Sequence, residues 1–292
     1  MPNILIQHAD IVSLDSAGTI LRDADLVIEG GRIVAVGKAP PGFQPDETLD
    51  ATNCVLMPGF YNAHTHAPMT FERGWAEDLP LERWFNERVW VVESQLTDED
   101  VYWGAMLAMA EMIRSGTVGF ADHYFYMDRV AQATEQAGLR GLLAWCVFGE
   151  EQNIGTDLPG TVDFVQRWQG AAGGRIRTVL GPHSPYMCSP QFLARTAAVA
   201  ARLGVDIHLR LAESQEQVDL SLLAYDMTPV QVLDQNGVLD LPVVAANVAY
   251  LSDFDLEILL ARGVRIVACP KAQAAAGLAV SPMSQLHAAG ID

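Results

Sequence analysis

The sequence predicts an α/β protein, a (β/α)8-type TIM barrel cut short before its eighth strand, with a small β domain at the N-terminus. Three observations predict it. Apolar, strand-like runs recur at 55–61, 117–121, 140–146, 176–181, 205–210, 242–247 and 264–268. Stretches with helical periodicity, such as 98–115 and 190–203, lie between them, as in βα units around a parallel sheet. Before residue 56 the texture is different: Ile4-Leu5-Ile6, Ile11-Val12, Leu26-Val27-Ile28 and Ile33-Val34-Ala35-Val36 are short β-branched runs, with Gly30-Gly31 as a hairpin turn.

These elements divide the chain into a sandwich-like β domain over 1–56 and an incomplete barrel over 57–292. Seven candidate strands are one fewer than a closed barrel needs, and Gly290-Ile291-Asp292 stands where an eighth would begin. The polar stretch 150–162 reads as a loop before a helix.

Half of the 292 residues are apolar, enough for a large core. Eighteen basic against 36 acidic residues give a net charge of -18, which repels nucleic acid and anionic membranes. No apolar run reaches membrane-spanning length, and the N-terminus lacks a secretory pattern. Cys54, Cys146, Cys188 and Cys269 form no CxxC pair and sit in apolar contexts that predict buried thiols. A reducing, cytoplasmic location is expected.

The chemistry begins at Pro58-Gly59-Phe60-Tyr61-Asn62-Ala63-His64-Thr65-His66. Two histidines at i and i+2 near a strand end project to one face, and in a barrel that end carries the active site. Neutral imidazoles so placed suit a zinc-type ion. In its context, PGFYNAHTHAPMTFERGWAEDLPLERW resembles the first metal motif of the amidohydrolase superfamily, in its deaminase and chlorohydrolase branch, with S-adenosylhomocysteine/5'-methylthioadenosine deaminases as the nearest likeness. LTDEDVYWGAMLAMAEMIRSGTVGFAD, GPHSPYMCSP, LAESQEQV and LLARGVRIVACPK continue the resemblance in the family's order.

The resemblance implies one divalent metal, zinc or iron, held by His64 and His66, and a small heterocyclic substrate of purine, pterin or triazine type. It implies a proton shuttle at Glu213, substrate contacts at His183, Glu93 and Trp75, with Asp78 in the same loop, and a homodimer. Departures are equally plain. Arg210 stands where the family has its third histidine ligand, and a guanidinium has no lone pair to give. His208 is on the same face but deeper, and His123 is a strand-end histidine that either reaches inward or belongs to a loop. Asn247 replaces a histidine, Trp145 an arginine, and Ala272-Gln273 a Ser-Asn pair. Asp292 lies too early to be the strand-eight aspartate. Three readings follow: a metal-dependent deaminase or related hydrolase, a non-catalytic relative holding a small anion, and a piece of an active enzyme.

Overall fold

Strand and helix alternate from residue 60 onward as the apolar pattern requires, and that alternation fixes where the polar residues gather. The computed structural model describes residues 1–75, 79, 81–149 and 158–291. Two units emerge, Met1–Phe60 and Tyr61–Asp292.

The first unit is one mixed sheet. β1 (Ile4–Val12) pairs antiparallel with β2 (Ile20–Glu29), which pairs antiparallel with β3 (Arg32–Gly37). β4 (Glu47–Asp50) and β5 (Val55–Leu56) both add parallel to β1, so all five strands share one layer and no second sheet is stacked on it among the described residues. Ala9, Ile11, Ala24 and Leu26 form its small core. Gly30 and Gly31 both have positive φ, 58° and 78°, as a two-residue type I′ hairpin requires.

The expected strand 55–61 is two strands. Val55–Leu56 belongs to this first sheet, and the barrel strand β6 starts at Phe60 and runs to Thr65. Pro58, with no N–H to donate, and Gly59 break the run between them. Cys54 is also not buried as expected, because it ends the turn before β5 and faces solvent.

The second unit carries seven strands in sequence order: β6, β7 (Thr117–Tyr124), β8 (Arg140–Val147), β9 (Ile176–Pro182), β10 (Ile207–Arg210), β11 (Val243–Ala246) and β12 (Arg265–Val267). Pairings from β7 through β12 are parallel, which places the C-terminal ends of these strands together. Helices fill the connections where the sequence put them. Thr97 and Asp100 form a capping box on Asp98–Arg114, and Ser189 caps Pro190–Leu203, which Gly204 ends at φ 68°. Phe164, Phe192, Met109, Leu143, Ile176 and Leu180 are fully buried between helices and sheet. Each such side chain contributes roughly 1.5–3 kcal/mol of burial free energy. The expected loop over 150–162 is partly helix, Leu158–Trp168; Pro159 reads as a turn residue but is tolerated in a first helical turn, and 150–157 lie outside the described residues. No helix among the described residues is long and apolar enough to cross a membrane.

Two contacts fix the chain just after β6. The 3-10 turn Ala67–Glu72 packs so closely on Asp98–Arg114 that a Cβ on Gly104 would lie 2.5 Å from the Pro68 carbonyl oxygen. Asp122, fully buried on β7, accepts the Ala67 N–H at 2.7 Å, while its other oxygen has no partner. Burial pushes this carboxyl from 3.8 up to about 7.

Gly104→Ala gains about 1 kcal/mol of helix propensity but must displace backbone, at roughly 1–3 kcal/mol; urea unfolding is expected to show a net loss. For Asp122 the sign follows from the raised value: the folded chain holds a proton that the unfolded chain releases, so its stabilising share is complete below pH 3.8 and is lost as pH rises through about 7. That share is on the order of 4 kcal/mol. Asp122→Asn keeps the Ala67 acceptor and is expected to flatten this part of the stability–pH curve; an unchanged slope would show that Asp122 does not hold that proton.

Candidate active site

Strand alternation sends His64 and His66 to one face at the end of β6, their rings edge to face with centroids 5.0 Å apart. His66 Nδ1 lies 2.6 Å from the His123 carbonyl oxygen. A carbonyl only accepts, so Nδ1 carries the proton and Nε2 presents its lone pair. His64 Nδ1 meets His208 Nε2 at 2.8 Å, and His64 Nε2 is buried with no partner.

His208 therefore backs His64 from behind. It does not step into the place held by Arg210. His123 reaches inward, 2% exposed, and its Nε2–H donates to the Gly181 carbonyl at 3.0 Å. Gly181 has to lack a Cβ, which would sit 2.7 Å from the His123 ring. Five of the seven histidines thus collect at the barrel mouth. Burial is the main cause that holds each below its ordinary pKa, with His66 and His208 brought down to about 4. They are neutral imidazoles at pH 7.

Arg210, at the end of β10, donates from Nη2 to His183 Nε2 at 2.9 Å, and its Nε is 3.6 Å from Glu213 Oε1. Glu213 is 6% exposed and held from two further sides, by Gln217 Nε2 at 3.0 Å and Asn247 Nδ2 at 3.1 Å. Gln273 is buried, and its Nε2 donates to the Asn247 carbonyl at 3.2 Å. Ala212 and Asn247, flanking the pair, both have positive φ, 48° and 63°.

Beside this cluster opens a solvent-facing cavity walled by His66, Glu93, His183 and Arg210 and by Trp84, Phe85, Trp90, Tyr124, Phe125 and Phe148. Glu93 and His183 line this cavity. Trp75 does not: it is 52% exposed, its ring under the Arg88 guanidinium at 5.8 Å, and it is not among the described wall residues. Asp78 and Asp292 lie outside the described residues. Trp145 turns its ring onto Phe164 in the core. Sequence reasoning missed the aromatic wall, Gln217 and the contact between Gln273 and Asn247. A signal existed for Gln217, four residues beyond Glu213 with Ser214 as helix cap.

Does this set of donors fit a metal? Two imidazole faces are suitable, but a fixed cation occupies the third place and opposes a second one. Among the described residues no group of three or more His, Cys, Asp or Glu is arranged to hold an ion. The side chains described do not complete a metal centre.

The amidohydrolase family pattern matches residues 55–292. A 5-methylthioadenosine/S-adenosylhomocysteine deaminase of Pelotomaculum thermopropionicum is 42% identical over 293 residues, covering 99% of this chain and 68% of its own. One of the same name from Desulforudis audaxviator is 41% identical, covering 99% of this chain and 67% of its own. Among solved structures, an adenosine deaminase from Xanthomonas campestris with bound zinc superposes with a TM-score of 0.92 at 30% identity, over 99% of this chain and 67% of that one. Matched in pattern, in sequence and in the order of its barrel strands, the chain belongs to the amidohydrolase family.

Proposed function

We propose that this chain is of the aminohydrolase kind, its barrel mouth taking a purine-like ring with an exocyclic amino group, and that Arg210 holds its hydrolytic step far below that of a three-histidine relative. In the reaction class, water adds to a ring carbon, the exocyclic C–N bond breaks and ammonia leaves. The names of the similar deaminases support the substrate class, as does a cavity wall of flat aromatic side chains such as Trp90 and Phe148.

The observation that carries the reading is the guanidinium 2.9 Å from His183 Nε2 and 3.6 Å from Glu213 Oε1. Glu213 is the carboxylate for moving a proton between water and ring nitrogen, and Gln217 and Asn247 aim it. Glu93 faces the cavity as an acceptor for hydroxyl groups, and His183 lines the same wall. Because Arg210 already occupies the His183 lone pair and neutralises Glu213, the cluster has little positive charge left for an anion. That balance counts against the anion-binding alternative.

Arg210→His restores a donor and removes the charge. After metal loading and dialysis, elemental mass spectrometry is expected to find well under one zinc per wild-type chain and at least about tenfold tighter zinc retention in the variant. Ammonia release from 5'-methylthioadenosine should rise with it, whereas Arg210→Lys, which keeps the charge, should stay near wild type. A wild-type chain that keeps a full zinc equivalent and deaminates as fast as Arg210→His would overturn the proposed role of Arg210.

A further inference from the structure

Glu72 closes the 3-10 turn that follows the two histidines, 8% exposed, and has a partner for only one of its oxygens. Oε1 is 3.5 Å from the Tyr124 hydroxyl; Oε2 is buried and meets no donor. Glu93 and Tyr124 share the cavity wall, where the same hydroxyl acts to hold the Glu93 carboxyl down against its burial. Among the described residues no cation compensates Glu72, since adjacent Arg73 commits its guanidinium to Glu111 at 2.9 and 2.8 Å. The charged group that reaches Glu72 is Glu93, of the same sign, and Tyr124 is the other titratable group facing it.

A phenol has one proton and donates it to one carboxyl at a time. Two carboxyls around it are both satisfied when one is an acid that donates to the phenolic oxygen while the phenol donates to the other. Glu72 is the better candidate for the acid, because an ionised carboxylate with an unpartnered, buried oxygen is the costlier of the two. Glu93 opens on the cavity and feels the attraction of Arg210.

We infer that Glu72 is a positioning residue for Glu93: its carboxyl proton, donated to the Tyr124 oxygen, turns the phenol's own proton onto Glu93 and leaves Glu93 the single carboxylate at that wall, set to accept from the hydroxyls of a nucleoside. The ligand in this inference rests on the nucleoside reading above; the proton does not. Burial, and then the charge of Glu93, push Glu72 up to about 7, and burial raises Glu93 as well. Above that value Glu72 ionises, competes for the phenol's proton and sets a second negative charge against Glu93, so nucleoside affinity falls. His66 and His208, at about 4, are silent in this range, while Asp122, also near 7, is common to wild type and a Glu72 variant.

The test pairs infrared difference spectra, wild type minus Glu72→Gln, with calorimetric titration of 5'-methylthioadenosine from about pH 5.5 to about pH 9. The difference spectrum should hold a protonated-carboxyl C=O band that fades as pH passes about 7. Wild-type affinity should weaken by about fivefold over the range, and Glu72→Gln, which donates from its amide as the acid does from its hydroxyl, should keep the low-pH affinity with a shallower slope. Tyr124→Phe should weaken binding without abolishing the band. No such band, or the same pH profile in wild type and Glu72→Gln, overturns the inference. If the nucleoside binds neither form, the nucleoside reading fails and the infrared band alone decides where the proton sits.

Discussion

A guanidinium at the C-terminal end of β10 constrains the polar groups beside it at the barrel mouth, because it offers five donors and no acceptor. Its neighbours must supply lone pairs or negative charge. His183 supplies the first through Nε2, which fixes the His183 proton on Nδ1, 2.9 Å from the Ser184 hydroxyl. Glu213 supplies the second, and its remaining capacity is filled by Gln217 and Asn247. Charge is thus balanced inside the cluster, and the imidazoles on β6 stay neutral beside it. A divalent ion entering here would meet two good donors and, beside them, a guanidinium with no lone pair to give.

The backbone is bent to hold this cluster. Ala212 and Asn247 sit in the left-handed region, at a cost of order 1 kcal/mol or more for alanine. Hydrogen bonds made in this conformation offset it: the Ala212 carbonyl accepts from Ala249 and Tyr250 at 3.2 and 3.1 Å, and Asn247 donates its N–H to the Val267 carbonyl at 3.0 Å. Gln273, buried and bonded to both the Asn247 carbonyl and Ser281, closes the same loop. The Ala272-Gln273 departure from the family pattern is therefore matched to Asn247, since the residue at one position secures the backbone of the other.

How much of this could be read from residues alone depends on the range of the force involved. Period-two and period-3.6 burial patterns gave all seven barrel strands, the first of them displaced, and both long helices. Caps and glycines set their ends. His64 and His66 were legible because alternation along one strand is local, and Arg210 because a guanidinium cannot ligate wherever it sits. Contacts between strands were not legible: that His208 would back His64, or that the His123 carbonyl would fix the His66 tautomer, depends on register across the sheet. The direction of the Trp75 side chain was not legible for a related reason, since membership of a loop does not say which way a side chain turns. Glu72 carried no sequence signal at all, being an acid in a surface-like string, Thr70-Phe71-Glu72-Arg73, that the turn folds inward.

One rule then accounts for the groups around the cavity. Burial without a partner penalises charge, and a group that can shed its charge does so before the fold yields. The histidines at the mouth drop their protons, and Asp122 and Glu72 keep theirs to near pH 7. The formal charge of -18 therefore counts as ionised two carboxyls that burial pushes up to about 7. Arginine is the exception, for it has no neutral form within reach. Where each titratable group adapted by moving a proton, accommodation of Arg210 had to come from the arrangement of other side chains, and that is why His183, Glu213, Gln217 and Asn247 form one connected set.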